Sequence, residues 1–191
     1  MSTQFSMLLF LLIPYYALTP TTAEEKTGYL GSIDRKLLGL ESKEKISHFR
    51  FYWHEIFSGN NPTSVPVIPP LPKYNSTTSF GMLDVFDTLL TLGPELNSTV
   101  AGRAEGIYAA TSQTELDLVV IMNIVLTEGK YNGSTITFVG RNPILQKVRE
   151  MPIIGGTGLF RFARGYIESR TLSTDPQTRD NTIEFNIYVY Y

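Results

Sequence analysis

Large hydrophobic residues alternate with polar residues along most of this chain, which is the two-residue period of β-strands with distinct faces. The pattern, broken by Gly, Pro or Asn at short intervals, predicts eight strands. They cover residues 49–55, 80–90, 101–111, 116–127, 134–139, 146–151, 158–171 and 182–190. The last strand alternates most clearly, with four apolar residues on one face: Ile183, Phe185, Ile187 and Val189. The chain is therefore expected to be all-β.

Two segments depart from the simple pattern. Residues 58–79 contain five prolines, which exclude a central strand or a helix and predict a long loop. Residues 116–126 are apolar on both faces. A helix is the alternative for this stretch, but its β-branched residues and the following Gly129 favour a strand. We expect one face to lie in the core and the other to contact a second protein surface, as in an oligomer.

Eight antiparallel strands fit a closed barrel, because closure removes the exposed edges of the sheet and can enclose one small ligand. Cysteine is absent, so no disulfide cross-links the fold. A domain of this length can bury enough apolar surface without that help. We therefore predict an eight-stranded antiparallel β-barrel with a central ligand cavity.

The N-terminal residues have the layout of a secretory signal. An apolar run at residues 7–17 is too short to span a bilayer, and a polar segment follows it. Thr21 and Ala23 are small enough for the cleavage positions, which places the cut after Ala23. A cytosolic chain with an apolar N-terminal strand is the alternative, which the sharp polar boundary disfavours. The pattern predicts a signal at residues 1–23, a polar N-terminal arm at 24–45 and the barrel domain at 46–191.

Three N-glycosylation sequons support export to the extracellular space. They begin at Asn75, Asn97 and Asn132, each in a loop-like context. The formal net charge is −2 and there is no cluster of basic residues, so nothing indicates binding to nucleic acid or to an anionic membrane. We expect function to reside in a pocket or on an oligomer surface.

The most informative motifs lie between residues 128 and 166. Asn132-Gly133 precedes a strand and predicts a two-residue hairpin turn with positive φ at both positions. Gly155-Gly156-Thr157-Gly158 predicts a second chain reversal, and the aromatic strand after it carries two arginines. Further motifs are Phe-Tyr-Trp-His-Glu-Ile at residues 51–56, Gly-Pro-Glu-Leu at 93–96 and Gly-Ile-Tyr-Ala-Ala at 106–110.

Together, these motifs resemble those of the plant dirigent family from about residue 49 to residue 191. The resemblance implies the same barrel, a homotrimer and a small phenolic substrate, and in a plant the exported protein would reach the apoplast. Leu159 follows the Gly-Gly-Thr-Gly turn, where lignan-forming members resemble one another in having Asp. This difference makes the chain more similar to the subgroup that includes pterocarpan synthases.

Strand alternation selects one group of candidates for the cavity. On the strand predicted to start at residue 158, one face carries a cation among aromatic rings: Phe160, Phe162, Arg164 and Tyr166. The resemblance places the cavity arginine of the family at Arg164. An arginine that stacks on a ring or pairs with an acid for stability alone is the alternative.

Two carboxyl groups and a tyrosine complete the predicted site. Glu55 shares a face with aromatic residues and is either half of a structural ion pair or a general acid with a raised pKa, although the family usually has Asp here. Asp87 matches an acidic position of the family, with a turn residue as the alternative. Tyr108 lies beside small residues that leave room for a ligand, with a core tyrosine as the alternative. We predict Glu55, Asp87 and Arg164 as catalytic residues, and as substrate-binding residues Tyr108, Phe51, Phe160, Phe162 and Tyr166.

No metal or cofactor site is predicted. There is no cysteine, and no Gly-rich phosphate loop opens a helix. His48 and His54 would lie ~20 Å apart along a strand, too far to share a metal ion. The protein is therefore expected to work without a cofactor.

Three functions remain open. The first is a non-oxidising guide, which binds two phenoxy radicals made by a separate oxidase and orients them for coupling. The second is a true enzyme, an isoflavanol dehydratase of the pterocarpan synthase type. There, Glu55 or Asp87 would protonate the leaving hydroxyl, and the substrate's own phenol would attack the resulting quinone methide. The third is a non-catalytic cell-wall or defence protein that binds phenolics or glycans.

Overall fold

The computed structural model describes residues 33–38, 40, 41 and 43–191. The chain divides into two compact units, Met1–Ser42 and Lys43–Tyr191. In the first unit the described residues form a short 3₁₀ helix at Arg35–Leu38. The predicted secretory signal and the first part of the predicted arm lie outside the described residues. No helix within the described ranges is long and apolar enough to cross a membrane.

The second unit consists of strands joined by loops and short 3₁₀ turns. Residues 43–191 form nine strands: β1 (Ile46–Glu55), β2 (Ser64–Ile68), β3 (Leu83–Thr91), β4 (Val100–Ala110), β5 (Asp117–Leu126), β6 (Thr135–Pro143), β7 (Arg149–Thr157), β8 (Arg164–Thr174) and β9 (Asn181–Tyr190). Neighbours pair antiparallel in the order β1-β9-β8-β7-β6-β5-β4-β3-β2. A further pairing of β1 with β3 closes a ring of eight strands, and β2 is added beside β3. The predicted all-β class and eight-stranded antiparallel barrel are confirmed.

The ninth strand lies in the proline-rich segment that the sequence predicted to be a loop. β2 contains Pro66, which pairs with Asp84 of β3. Proline is tolerated at this position because β2 lies at the edge of the described sheet. On its outer side no further strand of the described residues is present to accept a hydrogen bond from the missing N–H. A 3₁₀ turn at Pro72–Tyr74 follows it. The segment therefore contains one short edge strand, and the prediction of a loop is wrong for residues 64–68.

Alternation along the strands builds the core as predicted. The paired residues Phe51↔Phe185 and Trp53↔Ile183 of β1 and β9 are all buried. The Trp53 and Phe185 rings stack with their centroids 5.8 Å apart. Burial of one such side chain stabilises a fold by roughly 1.5–3 kcal/mol, so apolar packing can hold this domain together without disulfides. The ambiguous apolar stretch is a strand, β5, and not a helix.

The hairpin at Asn132-Gly133 differs from the prediction in its backbone angles. Gly133 has φ +79°, but Asn132 has φ −50° and ψ 131°. These angles define a type II turn, which needs positive φ at its second central residue only. The Ser134 N–H donates to the Tyr131 carbonyl at 2.9 Å and closes the turn. The prediction of positive φ at both positions is wrong.

The second glycine motif belongs mainly to a strand. β7 continues to Thr157, and the chain reverses only after it, beginning with the 3₁₀ turn Gly158–Phe160. Gly156 is required within β7 because a Cβ there would lie 2.3 Å from the Thr135 carbonyl oxygen of β6. β8 consequently begins at Arg164 and not at residue 158. This later start changes the faces of the aromatic residues that precede it.

An aromatic cluster closes the end of the barrel where β5 joins β6 and β7 joins β8. The buried Phe160 ring has its centroid 5.9 Å from that of Phe49, 5.5 Å from that of Tyr131 and 4.8 Å from that of Tyr191. The Ser47 hydroxyl lies 3.5 Å from the Tyr131 hydroxyl and 3.1 Å from the Tyr191 hydroxyl. The rings thus fill the interior while their polar groups bond one another. We call this the closed end.

We expect Phe160→Ala to lower the unfolding free energy by about 3–5 kcal/mol, because it leaves a hole among rings that are held by their own strands. Phe162→Ala is the matched control. This side chain is 57% exposed, and its loss should change stability by less than about 0.5 kcal/mol. Urea unfolding of both variants measures the difference. Equal losses would show that the closed end does not depend on Phe160.

Candidate functional site

The other end of the barrel opens into a cavity of about 910 Å³. Its wall is apolar where Trp53, Leu118 and Ile183 line it, and prolines around β2 form part of its rim. Polar side chains from six strands also line it: Glu55, Asp84, Tyr108, Asn142, Arg149 and Asn181. A concave site with apolar walls and a few converging polar groups is typical of small-molecule binding. This cavity is the candidate functional site.

Glu55, the last residue of β1, is buried and pairs across the sheet with Asn181 of β9. Asn181 Nδ2 donates to Glu55 Oε2 at 2.9 Å, whereas Glu55 Oε1 has no hydrogen-bond partner among the described residues. Burial raises the pKa of Glu55 because it removes water from the charged form. The Asn181 bond and the nearby Tyr108 and Ser64 hydroxyls oppose this rise, and the nearby Asp84 adds to it. Glu55 is thus suited to hold a proton.

Asp84 is a second buried carboxyl, joined to a chain of hydroxyls. The Tyr108 hydroxyl donates to Asp84 Oδ2 at 2.9 Å, and Ser64 Oγ lies 3.0 Å from the Tyr108 hydroxyl. Because the one Tyr108 proton is used on Asp84, Ser64 must donate to Tyr108. Burial raises the pKa of Asp84, against the effect of the Tyr108 bond, and burial also raises the pKa of Tyr108. Tyr108 therefore stays a neutral donor.

The two carboxyls share one arrangement. In each, one oxygen accepts a hydrogen bond from the protein, and the other, Glu55 Oε1 or Asp84 Oδ1, has no partner among the described residues. None of the ion pairs of the described residues includes either carboxyl. The unpartnered oxygen is buried in each carboxyl, which favours the protonated form that a general acid requires.

The opposite wall carries a buried cation. β7 lies four strands from β3 in the ring of eight, and its first residue is Arg149. The guanidinium donates to Ser169 Oγ at 3.1 Å and to Thr171 Oγ1 at 2.8 Å, and within the described residues it pairs with no carboxylate. Burial lowers the pKa of Arg149, yet an arginine in a protein stays charged. Trp53 Nε1 and Asn142 Oδ1, also buried, have no partner in the described part of the chain. Arg149 and Asn142 thus place a cation and a buried acceptor on this wall, whereas the buried Trp53 donor belongs to β1, the strand of Glu55.

Glu55 and Tyr108 lie in the cavity, as strand alternation predicted. Arg164 does not, and the prediction that it points into the barrel is wrong. Its guanidinium is exposed, forms an ion pair with Glu44 at 2.5 Å and lies 5.4 Å from the Tyr190 ring. Because β8 begins only at Arg164, the alternation counted from residue 158 does not continue through the 3₁₀ turn.

The predicted aromatic wall is dispersed over the molecule. Phe160 lies inside the barrel at the closed end, and Phe51 packs in the core. Neither residue lines the cavity. Phe162 is exposed, and Tyr166 stacks on the outer surface against Tyr188 with ring centroids 4.8 Å apart. The predicted position of these residues around a ligand is therefore wrong.

Asp87 points away from the cavity, so the prediction that its carboxyl lies inside the barrel is wrong. Its carboxylate pairs with the Arg103 guanidinium at 2.5 Å, and both side chains are exposed to solvent. Asp84, on the opposite face of β3, is the inward acid. The signal was present in the sequence, because Asp84 alternates in step with the apolar Phe86 and Leu90. Similarity to an acidic position of a known family favoured Asp87 instead.

Arg149 is the second site residue that the sequence analysis did not select. It shares a two-residue period with Met151 and Ile153, which are both buried. An arginine on the apolar face of a strand is the pattern of a buried cation. That pattern could have identified Arg149, but the arginine within the aromatic motif was chosen.

The described part of the chain contains no group of three His, Cys, Asp or Glu residues that could hold a metal ion. The buried His54 ring bonds Thr91 Oγ1 at 2.7 Å, and burial lowers the pKa of His54. His48 is exposed and stacks on Tyr188 with centroids 4.6 Å apart. Both histidines thus have partners outside the cavity.

The three sequon asparagines are exposed on loops, where a glycan can reach water. Asn75 lines the mouth of the cavity. Asn97 lies between β3 and β4 and Asn132 between β5 and β6, both at the other end of the barrel. The three positions therefore differ in their distance from the candidate site.

A sequence profile of the family described as Dirigent-like protein matches residues 46–190. Dirigent protein 7 of Arabidopsis thaliana is 48% identical over 170 residues, which cover 89% of this chain and 89% of that protein. Pterocarpan synthase 1 of Glycyrrhiza echinata is 38% identical over 182 residues, which cover 95% of this chain and 94% of that protein. The solved structure of a pterocarpan synthase dirigent protein matches with a TM-score of 0.73 and 38% identity, covering 85% of this chain and 88% of that one.

The raised pKa of Glu55 gives stability a defined pH dependence. As pH rises above 4.5, the ordinary pKa of glutamate, the unfolded state releases the Glu55 proton while the folded state keeps it. The unfolding free energy should therefore fall with rising pH until folded Glu55 also ionises. Glu55→Gln cannot ionise and should flatten this part of the profile. Urea unfolding at a series of values from about pH 4 to pH 8 measures it.

Glu105→Gln is the matched control, because Glu105 is exposed on the outer face of β4. Its profile should follow that of the wild type. A Glu55→Gln profile with the wild-type slope would contradict a buried, protonated Glu55.

Proposed function

Because this chain belongs to the dirigent family, we propose that its cavity binds a small phenolic molecule and controls the stereochemistry of its coupling or cyclisation. Relatives named dirigent proteins and pterocarpan synthases support this proposal. The apolar wall at Trp53, Leu118 and Ile183 suits aromatic rings, and the polar groups on both walls suit their hydroxyls.

The reaction that the polar groups support best is an acid-catalysed cyclisation with loss of water. The observation that carries this proposal is the pair of buried carboxyls, Glu55 and Asp84, each with one oxygen that no described residue bonds. A carboxyl whose pKa is raised by burial is a recurrent general acid in enzymes. The proposed substrate class is an isoflavanol, which carries both a leaving hydroxyl and a phenol nucleophile. This is the dehydratase alternative of the sequence analysis, with Asp84 in place of Asp87.

The proposed steps balance in atoms and charge. The carboxyl of Glu55 or Asp84 donates its proton to the leaving hydroxyl, and the C–O bond breaks with release of one water. The ring phenol conjugated to that carbon releases its proton to solvent in the open cavity as the quinone methide forms. The substrate's second phenol then attacks the same carbon, the ring oxygen takes a proton back from solvent, and the attacking phenol's proton restores the carboxyl. One water is lost in total.

The wall that carries Arg149 would stabilise the substrate ring whose phenol oxygen becomes negatively charged. Arg149 is held by Ser169 and Thr171, so its guanidinium is fixed before a ligand arrives. It would stabilise negative charge that develops on a phenol oxygen. Asn142 and Trp53 would bind further hydroxyls. A ligand fixed between two walls exposes one face to attack, which is the source of stereocontrol.

A radical guide is the second candidate, and the size of the cavity favours it. About 910 Å³ is near the upper end of the usual range for ligand sites and suits two phenolic units. This function requires a separate oxidase as a partner, which makes the radicals. The protein would then contribute orientation and exclusion of water.

The two candidates differ in their need for an oxidant. We expect the purified protein to convert an isoflavanol to the cyclised product, with loss of water and without an oxidase. Glu55→Gln and Asp84→Asn keep the side-chain shape but remove the carboxyl proton. The variant that lacks the acid should lose roughly 100-fold or more in rate. Chiral chromatography of the product follows rate and stereochemistry together.

Asp87→Asn is the matched control for Asp84→Asn, because Asp87 lies on the outer face of the same strand. It should leave the rate unchanged. Product that forms only with an added oxidase would support the radical guide. Phenol binding without product in either assay would support a non-catalytic binding protein.

We further propose that the protein is exported, N-glycosylated and assembled as a homo-oligomer, with a trimer suggested by the family resemblance. The signal-like N-terminus and the sequons support export. For the oligomer, the support is an apolar row of paired residues across the outer surface of β2 to β6: Val65, Val85, Ile107, Ile121 and Val139. The neighbouring row is polar: Asp87, Glu105, Asn123 and Thr137. An apolar strip beside a polar rim suits contact with a second copy.

Ile121→Asp should shift the protein from oligomer to monomer, because it introduces a charge into the centre of the apolar row. The side chain is 40% exposed, so the barrel itself should still fold. Asn123→Asp is the matched control, since it adds the same charge in the polar row of the same strand. Sedimentation velocity at micromolar concentration measures both. A monomeric wild type would contradict the oligomer.

A further inference from the structure

Of the three sequon asparagines, Asn75 alone lines the cavity. It follows the 3₁₀ turn Pro72–Tyr74, and Asn75, Ser76 and Thr77 are all exposed. The complete acceptor sequence is therefore accessible from solvent while its asparagine stands at the opening. An oligosaccharide on Asn75 would sit at the mouth of the cavity, which the two sequons at the other end of the barrel cannot achieve.

The part of the rim that carries Asn75 is tied to the loop between β4 and β5 and to the segment before β3. The Tyr74 hydroxyl donates to Gln113 Oε1 at 2.9 Å, and the Tyr74 ring packs edge-on against Phe80 with centroids 5.2 Å apart. The Ser79 N–H donates to the Tyr74 carbonyl at 2.9 Å. The prolines that precede this turn restrict the backbone further. The attachment point of a glycan on Asn75 would therefore stay fixed beside the opening.

A second part of the rim, the loop between β8 and β9, is also held in place. Thr178 and Arg179 of this loop line the cavity. Asp180 accepts hydrogen bonds from the Phe57 N–H at 2.8 Å and the Ser58 hydroxyl at 2.6 Å, which ties the loop to the segment after β1. With both parts of the rim tied down, the opening has little freedom to widen for a larger ligand.

We propose that an N-linked oligosaccharide on Asn75 screens the cavity by size, admitting free phenols and excluding conjugates in which a sugar is attached to the phenol. The inference rests on the export and phenol binding proposed above. A glycan is bulky and hydrated, so it occupies space at the mouth without reaching the inner polar groups. Selection thus takes place at the entrance, and Glu55 and Asp84 are left unchanged.

The chain contains its own reporter for this selection. Trp53 is the only tryptophan, and it lines the cavity. Its fluorescence therefore responds to a bound phenol in the absence of any reaction. Binding constants for a free phenol and for its O-glucoside can be compared on the same protein.

The test uses the full chain secreted from plant cells, with the glycans mapped by mass spectrometry. Thr77→Ala destroys the sequon but keeps Asn75, and Thr77→Ser keeps both. Asn97→Gln removes a glycan from the other end of the barrel. We expect Thr77→Ala to lower the Kd of the glucoside by roughly tenfold and to change that of the free phenol by less than about twofold. Thr77→Ser and Asn97→Gln should match the wild type.

Enzymatic removal of the N-glycans from folded wild-type protein should give the same gain, so the test does not depend on secretion of a variant. An unmodified Asn75 in the secreted protein, or an unchanged ratio of the two Kd values after removal of the glycan, would overturn the screen and leave the proposed function standing. A free phenol that fails to quench Trp53 in every sample would count against the proposed function, and the screen would fall with it.

Discussion

The pairing of β1 with β3 is the contact on which both the barrel and its cavity depend. Within the described sheet two residue pairs join these strands, one of them Trp53↔Leu90. Side chains reinforce this short ladder, because the Thr88 hydroxyl donates to the His54 carbonyl and the buried His54 ring bonds Thr91. Burial lowers the pKa of His54, so a neutral ring can lie in this seam without a counter-charge. Without the seam the sheet would be open and would have no interior for a ligand.

The same seam assembles the acid groups of the site. Glu55 ends β1 and Asp84 lies near the start of β3, so the closure of the ring brings two carboxyls from distant parts of the chain to one wall. Tyr108 of β4 and Asn181 of β9 then satisfy one oxygen of each. The remaining oxygens are buried without a partner in the described residues, which costs stability. The aromatic cluster at the closed end has no such cost. Its packing stabilises the fold and can offset the free energy that the buried carboxyls at the cavity end lose.

Strand alternation predicted positions correctly wherever the chain remains in one strand. Glu55 in β1 and Tyr108 in β4 were placed inside the barrel by counting from apolar neighbours, and both line the cavity. The count failed for Arg164, because a 3₁₀ turn lies between it and the residues from which it was counted. Asp87 shows a different error, since a resemblance to a family motif outweighed an alternation that pointed to Asp84. Glycosylation, export and the oligomer remain predictions.

The sequence by itself determined the eight barrel strands, the all-β class and the family, because these depend on local alternation and on short motifs that are read along the chain. It did not determine the edge strand β2. Only the tertiary structure decided which ionisable groups meet in the cavity: Glu55, Asp84 and Arg149. Their meeting depends on the closure of the ring and on the residue at which each strand begins. A shift of one residue at that point turns every following side chain to the other face of the sheet. Alternation within a strand can indicate which residues face inward, but it does not specify which strands lie opposite one another in the ring.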